Sequence, residues 1–296
     1  MSNDLHHSGL PPFGGSQEIP KKPHRFTLER VYPALIFTPL FYLAVRYLPP
    51  IAFFLLIGIV ASLAFVEFTK VTLPDSLSSR SLAFWIGAMW FLLAALQWAE
   101  LILPTIVLTV VVLALLLLFM FVPEQIKNLL PRPMAVLFGI CYIGLCLGHL
   151  LLIRKLESGD LFIFFVIVVT WAADIGGYYI GASMGRRPIA PRLSPKKTVE
   201  GFAAGVFLSI ILAVICHYWF LPFLPIYHCI IIGILLACVG LLGDLAESAF
   251  KRNAGIKDSG SLIPGHGGVL DRIDSLLLTA PAFYYYVFLL NGPSHL

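Results

Sequence analysis

One stretch of the sequence, residues 243–275, carries most of the side chains that could do chemistry. Four of its polar residues are spaced at i, i+3, i+4 and i+7 and therefore share one face of a helix: Asp244, Glu247, Ser248 and Lys251. Asp271 and Asp274 follow at the start of a later apolar run. Because Mg²⁺ is held by one or two carboxylates together with water and substrate phosphates, acids from two helices suit this ion. We take Asp244 and Asp271 as the preferred ligands, with Asp274 beside them.

Two segments near these acids have the composition of a phosphate-binding site. The glycine-rich run PGHGG, which ends in His266, Gly267 and Gly268, can form a loop whose backbone N–H groups approach an anion. The earlier run SPKKT supplies two ammonium groups and two hydroxyls beside the start of a helix, where free N–H groups also favour anions: Ser194, Lys196, Lys197 and Thr198. A basic loop that only orients a membrane protein is the alternative interpretation of SPKKT.

A further acid, Asp174, lies within an otherwise apolar run. A carboxylate at that depth is costly unless it is paired, hydrated or bound to a metal, so Asp174 is a candidate metal ligand. A hydrogen bond to a neighbouring helix is the alternative. The glycines that follow it permit two helices to pack closely in the small-xxx-small manner: Gly176, Gly177, Gly181 and Gly185.

The elements that must position these residues are membrane helices. Of the 296 residues, 59% are hydrophobic and 12% are charged, and the mean hydropathy is +0.90, whereas soluble domains carry roughly 25% charged residues. Apolar runs long enough to cross a ~30 Å hydrocarbon layer recur along the chain, which predicts an all-α polytopic membrane protein with about nine transmembrane helices and a C-terminal catalytic half. The predicted spans are residues 31–48, 51–68, 81–99, 101–122, 134–153, 160–183, 200–220, 225–247 and 275–291.

The predicted organisation has three parts. Residues 1–28 form a disordered cytoplasmic tail, residues 29–159 form N-terminal transmembrane helices that serve as scaffold, acyl-chain wall or dimer contact, and residues 160–296 form the catalytic region. Lys and Arg concentrate in segments on the same side as the N-terminus, so we expect the active site on the cytoplasmic side of the membrane. We expect this membrane to be a bacterial inner membrane. The P-loop, zincin, nucleophile-elbow and protein-kinase motifs are missing, which leaves those enzyme classes without support.

The run from Ser248 to Asp274 resembles the signature of the phosphatidate cytidylyltransferases, also called CDP-diacylglycerol synthases. That signature is S-x-x-K-R, four residues, K-D, and then H-G-G-x-x-D-R-x-D. Each fixed position is present here: Ser248, Lys251, Arg252, Lys257, Asp258, His266, Gly267, Gly268, Asp271, Arg272 and Asp274. Upstream, SPKKTVEG is similar to the family segment S-P-K-K-T-x-E-G, and ADIGGYYIG resembles the family helix D-T-G-A-Y-x-x-G. Ile175 and Gly177 depart from that helix, where the family commonly has Thr and Ala.

The resemblance implies that CTP reacts with phosphatidate to give CDP-diacylglycerol and pyrophosphate, with Mg²⁺ required. We expect one or two Mg²⁺ ions, and a monovalent cation is left open. The resemblance also implies an all-α homodimer with a polar cavity open to the cytoplasm and to lipid, and metal ligands at Asp244 and Asp271. From the residues themselves we expect Asp174 to assist these two acids, and we expect no nucleic-acid partner. The residues assigned to charge neutralisation in catalysis are Lys197, Lys251, Arg252 and Arg272. Those assigned to substrate binding are Ser194, Lys196, Thr198, Ser248, Lys257, His266, Gly267 and Gly268.

Two other functions remain open from the sequence. A CTP-dependent polyprenol or phytol kinase is also a helical membrane protein with acids and lysines near one face, but it would release CDP and a phosphorylated lipid. An ion-coupled transporter would also place acids such as Asp174 within a span. The sequence shows no internal repeat and concentrates phosphate-binding groups in two loops on one side, which counts against the transporter.

Overall fold

The structure is a computed structural model that describes residues 41–73, 77–99, 102–121, 132–256, 259–260 and 267–291. Seven of the described helices are long and apolar enough to cross a membrane. This confirms the prediction of an all-α polytopic membrane protein. The predicted tail, residues 1–28, and most of the first predicted span lie outside the described residues.

The described chain runs through helices on both sides of a short hairpin. After a helical stretch over residues 41–47, the first helices are α1 (Pro50–Thr72), α2 (Ser79–Trp98), α3 (Ile102–Phe121), α4 (Arg132–Gly139), α5 (Cys146–Lys155) and α6 (Gly159–Met184). A π-helical turn, Ile140–Leu145, joins α4 to α5, and the three form one span, Met134–Lys155. The later elements are β1 (Pro188–Ala190), β2 (Ser194–Thr198), α7 (Val199–Trp219), α8 (Ile226–Asn253) and α9 (Leu270–Asn291).

The predicted spans from residue 51 onward each correspond to a described helix or to the joined α4–α5 span. The end of α8 differs most from its prediction, since the helix passes residue 247 and ends at Asn253. An i, i+4 ion pair between Glu247 and Lys251 supports these last turns. The helix stops where Gly255 adopts a φ of 70° and the Ile256 N–H donates back to the Lys251 carbonyl. Side-chain pairing and capping, rather than hydropathy, therefore determine this boundary.

A two-stranded antiparallel hairpin, β1 and β2, lies between α6 and α7. Pro188 of β1 faces Thr198 of β2, and the Val199 N–H donates to the Arg187 carbonyl at 2.8 Å, which closes the base of the hairpin. The all-α prediction does not include these strands, because the prolines and charges of this segment are typical of a loop. The hairpin gives the SPKKT segment a fixed backbone.

The backbones of α6 and α7 are almost in contact. A Cβ atom added at Gly201 would lie 2.7 Å from the Gly177 carbonyl oxygen, and one added at Gly205 would lie 2.6 Å from the Ala173 carbonyl oxygen. Both distances are shorter than van der Waals contact, so a larger residue at either position would force the helices apart. The α6 glycine segment therefore has the packing role that its spacing predicts.

The N-terminal helices contact α8 through a cluster of aromatic rings. Phe68 of α1 is buried, and its ring centroid lies 5.4 Å from that of Phe250 on α8 in an edge-on arrangement. Tyr142 of the π-helical turn stacks on Phe138 at 5.7 Å and lies 5.8 Å from Phe250. Such aromatic pairs contribute roughly 0.5–1.5 kcal/mol beyond the area that they bury. The cluster holds α1 and the π-helical turn beside the part of α8 that carries Lys251.

We expect Gly205→Ala to lower the free energy of unfolding by about 1–3 kcal/mol, because the added methyl group overlaps the Ala173 carbonyl and must push α6 and α7 apart. The measurement is the thermal unfolding midpoint of the detergent-solubilised protein. Gly177→Ala is the matched control in the same interface, since the nearest atom to its added Cβ lies at 3.7 Å. Equal unfolding midpoints for the two variants would contradict this account of the α6–α7 contact.

Candidate active site

Three carboxylates from two helices lie close together at the hairpin end of the bundle. Asp244 and Glu247 belong to α8 and Asp274 to α9, and their ligand oxygens lie within 4.8 Å of one another. We call these three residues the acid cluster. A Cβ atom added at Gly243 would lie 2.4 Å from the Asp274 carbonyl oxygen, so the glycine before Asp244 allows α9 to approach α8. That approach brings Asp274 to the acids of α8.

Glu247 is buried, with 1% of its surface exposed. Its Oε2 accepts a hydrogen bond from Lys251 Nζ at 2.6 Å, and the same Nζ donates to Asp271 Oδ1 at 2.8 Å. Lys251 therefore offsets the charge of acids on two helices. Glu247 Oε1 has no hydrogen-bond partner among the residues that the structure describes. A buried carboxylate oxygen without a donor is a position that a bound cation would satisfy.

Asp271, in the first turn of α9, is surrounded by donors. Besides Lys251, the N–H groups of Gly268 and Ser259 donate to Asp271 Oδ2 at 2.8 Å and 3.2 Å. Gly267 has a φ of 84°, and a Cβ atom there would lie 2.7 Å from Asp271 Oδ2. In this arrangement Asp271 holds Lys251 and the segment before α9, and it is not a member of the acid cluster. Its role as a metal ligand stays a prediction.

The other predicted residues of the 243–275 stretch have different surroundings. The Gly268 N–H, which is predicted to bind a substrate phosphate, donates to Asp271 in this structure. Ser248 is buried on α8, and Arg272 is exposed in the first turn of α9. Lys257 and His266 lie outside the described residues. Substrate binding by these residues stays a prediction.

The hairpin brings a lysine of SPKKT to the acid cluster. Lys197 on β2 forms an ion pair with Asp244. Arg252 Nε donates to the Leu193 carbonyl at 3.2 Å, which fixes the hairpin turn to the end of α8. Two segments that are distant in the sequence therefore meet through one side-chain ion pair and one side-chain hydrogen bond to the backbone. Arg252, predicted to neutralise substrate charge, has at least this positioning role.

The other residues of SPKKT face different environments. Thr198 is the N-cap of α7, and its Oγ1 accepts a hydrogen bond from the Gly201 N–H at 3.2 Å. Ser194 is half-buried at the start of β2, and Lys196 is exposed. The structure thus gives Thr198 a capping role, and the predicted substrate contacts of all three residues remain predictions.

Asp174 reaches the site from α6. Its Oδ1 accepts a hydrogen bond from the Ser275 hydroxyl at 3.2 Å, and Ser275 directly follows Asp274 on α9. The hydrogen bond to a neighbouring helix, which was the alternative interpretation of this acid, is therefore present. Metal ligation by Asp174 stays a prediction, because Asp174 is outside the acid cluster.

Two residues that contact this region are not among those predicted. Glu67 of α1 is 6% exposed, and its carboxylate accepts hydrogen bonds from the N–H groups of Val269 and Leu270 at 3.0 Å and 2.8 Å. The sequence signal for Glu67 is an acid inside an otherwise apolar run, the same signal that identifies Asp174. The buried Tyr142 hydroxyl has no hydrogen-bond partner in the described part of the chain, and no sequence signal distinguishes this tyrosine from a core residue.

The fold and the site define a polytopic membrane protein that carries a cluster of acids, offset by lysines, at one end of its helix bundle. Residues 28–290 match the model of the cytidylyltransferase family. Since this match covers most of the chain, the protein belongs to the cytidylyltransferase family.

Individual relatives align with about half of the chain. A phosphatidate cytidylyltransferase of Bacillus subtilis is 43% identical over 151 residues, which are 51% of this chain and 56% of the relative. A phosphatidate cytidylyltransferase of Synechocystis sp. is 49% identical over 139 residues, 46% of each protein. An uncharacterized protein of Escherichia coli, YnbB, is 43% identical over 133 residues, 45% of this chain and 44% of the relative. The chain therefore spans about half the length of the curated relatives that it matches.

Asp274→Asn should weaken binding of Mn²⁺, used as a paramagnetic substitute for Mg²⁺, by at least about tenfold, because it removes one anionic ligand from the acid cluster. Electron paramagnetic resonance of free Mn²⁺ measures the affinity. Asp160→Asn is the matched control, since Asp160 forms an ion pair with Arg46 at the opposite end of α6. Equal affinities for Asp274→Asn and Asp160→Asn would contradict a cation site at the acid cluster.

The same measurement on Asp271→Asn decides between the two roles of Asp271. A loss of affinity as large as that of Asp274→Asn would make Asp271 a metal ligand. Retained affinity would assign Asp271 to holding Lys251 and the segment before α9.

Proposed function

We propose that this protein is a phosphatidate cytidylyltransferase, which joins CTP and phosphatidate to form CDP-diacylglycerol and pyrophosphate. The observation that carries the proposal is the ion pair between Lys197 and Asp244. Lys197 belongs to the SPKKT segment, and Asp244 lies one turn before the Ser248–Asp274 signature on α8. Both segments resemble this family, and the fold brings them together. The names of the Bacillus subtilis and Synechocystis relatives support the same activity.

The proposed reaction needs alignment and charge screening more than it needs a base. A phosphomonoester has a second pKa of about 6 and is largely a dianion at neutral pH, so the lipid phosphate is already a nucleophile. One of its oxygens forms a bond to the α-phosphorus of CTP. The bond from that phosphorus to the oxygen bridging to the β-phosphorus breaks, and pyrophosphate leaves with the bonding electrons. The protein must therefore hold two anions in line and stabilise the charge on the leaving group.

The acid cluster fits a divalent cation. Asp244, Glu247 and Asp274 offer hard oxygen ligands, and Glu247 Oε1 is buried without a hydrogen-bond partner in the described part of the chain. We propose one or two Mg²⁺ ions at this site, with Asp271 and Asp174 as further ligands and a monovalent cation left open. When bound, Mg²⁺ supplies Lewis-acid neutralisation of phosphate charge.

Lysines on two elements supply positive charge around these acids. Lys197 on the hairpin contacts Asp244, while Lys251 on α8 contacts Glu247 and Asp271. A triphosphate that enters this end of the bundle brings further negative charge next to both ammonium groups. Charge-assisted hydrogen bonds from these groups then stabilise the phosphates and the leaving pyrophosphate. The arginines that flank the site, Arg252 and Arg272, are exposed and add to its positive potential.

The surface of α6 beside Asp174 supports lateral entry of a lipid. Ile175 and Tyr178, which lie beside Asp174 on this helix, are 50% and 47% exposed. In a bilayer such a surface faces acyl chains, so a diacyl lipid can bring its phosphate toward the acids while its tails stay in the membrane. We propose that this end of the bundle faces the cytoplasm from a bacterial inner membrane, as the distribution of Lys and Arg indicates, and that the enzyme is a homodimer, as the family resemblance implies.

Purified protein in detergent, given CTP, phosphatidate and Mg²⁺, should produce CDP-diacylglycerol and pyrophosphate in equal amounts. A coupled pyrophosphate assay and mass spectrometry of the lipid measure the two products. Release of CDP together with phosphorylation of an added polyprenol or phytol would identify a kinase instead. Substrate flux into vesicles without nucleotide turnover would identify a transporter.

Lys197→Met should lower kcat by about 10²- to 10³-fold, because it removes a preorganised positive group that faces the developing phosphate charge. Steady-state kinetics with CTP and phosphatidate measure the change. Arg192→Met is the matched control, since Arg192 is an exposed cation in the turn of the same hairpin. A kcat for Lys197→Met close to that of Arg192→Met would remove Lys197 from the site.

A further inference from the structure

Glu67 connects the N-terminal helices to the segment that carries the H-G-G motif. It lies near the end of α1 and is buried, with 6% of its surface exposed. Its Oε1 accepts the Val269 N–H at 3.0 Å, and its Oε2 accepts the Leu270 N–H at 2.8 Å and the Ser259 hydroxyl at 3.3 Å. A buried carboxylate with three donors on one segment is a specific contact rather than a solvated charge.

Glu67 of α1 caps the N-terminus of α9, although the two are far apart in the sequence. The first N–H groups of a helix have no partner within the helix and carry positive potential. Leu270 is the first residue of α9, and Glu67 accepts its N–H and that of the residue before it. This capping explains why α9 begins at Leu270, before the predicted start at residue 275. It also fixes the start of α9, whose first two turns carry Asp271 and Asp274.

Two glycines close around the Glu67 carboxylate. A Cβ atom added at Gly268 would lie 2.4 Å from Glu67 Oε2, and one added at Gly260 would lie 2.8 Å from Oε1. Since the Gly268 N–H donates to Asp271 Oδ2, the second glycine of H-G-G packs on Glu67 and binds Asp271 at the same time. Part of the glycine requirement in this motif is therefore the space that Glu67 occupies.

Ser259 joins Glu67 and Asp271 directly. Its hydroxyl donates to Glu67, while its N–H donates to Asp271 at 3.2 Å. Asp271 in turn accepts a hydrogen bond from Lys251, which also donates to Glu247 of the acid cluster. A continuous series of hydrogen bonds thus runs from α1 to the acid cluster.

We propose that Glu67 is a positioning residue for the active site: it fixes the residues before α9 so that Asp271 and Lys251 keep the geometry that the reaction needs. The proposal rests on the proposed cytidylyltransferase activity for its kinetic consequence. Glu67 acts through Ser259 and the backbone of Val269 and Leu270, and it does not contact substrate.

Glu67→Gln is the decisive variant because it keeps the volume and changes only the donor pattern. Both Glu67 carboxylate oxygens accept hydrogen bonds from backbone N–H groups. In the variant the Gln NH₂ group replaces one of these oxygens and faces an N–H donor, so the segment before α9 must move. We expect kcat to fall about 10- to 100-fold, as small misplacements of catalytic groups do, with KM for CTP and phosphatidate unchanged within about threefold. Hydrogen exchange at the amides of Val269 and Leu270 should become faster.

Thr69→Val is the matched control. Thr69 is equally buried on the same helix, 6% exposed, but its hydroxyl donates to the Val66 carbonyl of its own helix. This variant should keep the wild-type kcat and the wild-type exchange at Val269 and Leu270. If Glu67→Gln affects only the yield or thermal stability of the protein, with a wild-type kcat per folded molecule, the positioning role is wrong.

A double-mutant cycle between Glu67→Gln and Ser259→Ala tests the route of the effect. Because the two side chains share a hydrogen bond, the loss of kcat in the double variant should be smaller than the product of the single losses. If the loss of kcat in the double variant equals the product of the two single losses, Glu67 does not act through Ser259. If the wild-type protein makes no CDP-diacylglycerol at all, the proposed function fails, and the exchange rates at Val269 and Leu270 still decide whether Glu67 holds this segment.

Discussion

The need to offset negative charge at one end of a membrane helix bundle determines much of this structure. A carboxylate among apolar helices is costly unless a cation or a set of donors accompanies it. Glu247 has Lys251, Asp244 has Lys197 from the hairpin, and Asp271 has both Lys251 and backbone N–H groups. The extension of α8, the hairpin and the turn before α9 are the elements that bring these partners. Among the residues that the structure describes, these acids outnumber the lysines that pair with them, and a bound cation would offset the remaining negative charge.

Glycines at the helix crossings set the distances between these acids and the lysines that pair with them. Gly201 and Gly205 allow α7 to lie against α6, and α7 begins directly after the hairpin that carries Lys197. Gly243 allows α9 to lie against α8 at the level of Asp244 and Asp274. Small residues at such crossings are typical of membrane bundles, where packing rather than hydrophobic burial holds the helices together. The same glycines that stabilise the bundle therefore fix the distances between acids and lysines.

The sequence predicts the spans well, because hydropathy is a local property, and its motifs indicate which segments to examine for a site. It does not predict which acids meet. Asp271 and Asp274 are three residues apart and look equivalent, yet Lys251 donates to Asp271, whereas the close contact of α8 and α9 at Gly243 brings Asp274 to the acids of α8. Hydropathy also misses the start of α9, because the residue that caps it, Glu67, is 203 positions away from Leu270. Long-range partners of this kind leave no periodic pattern in the sequence.

The position of Glu67 has a consequence for how the chain is assembled in the membrane. During synthesis α1 is inserted long before the ribosome has made Val269 and Leu270, so the carboxylate initially has none of the donors that it has in the finished protein. Because Glu67 lies in the last two turns of α1, it can remain at the water interface until α9 has been synthesised. The final packing of the first described span therefore depends on the arrival of the last one. Truncation before α9 would leave Glu67 without the N–H donors that hold it in the finished bundle.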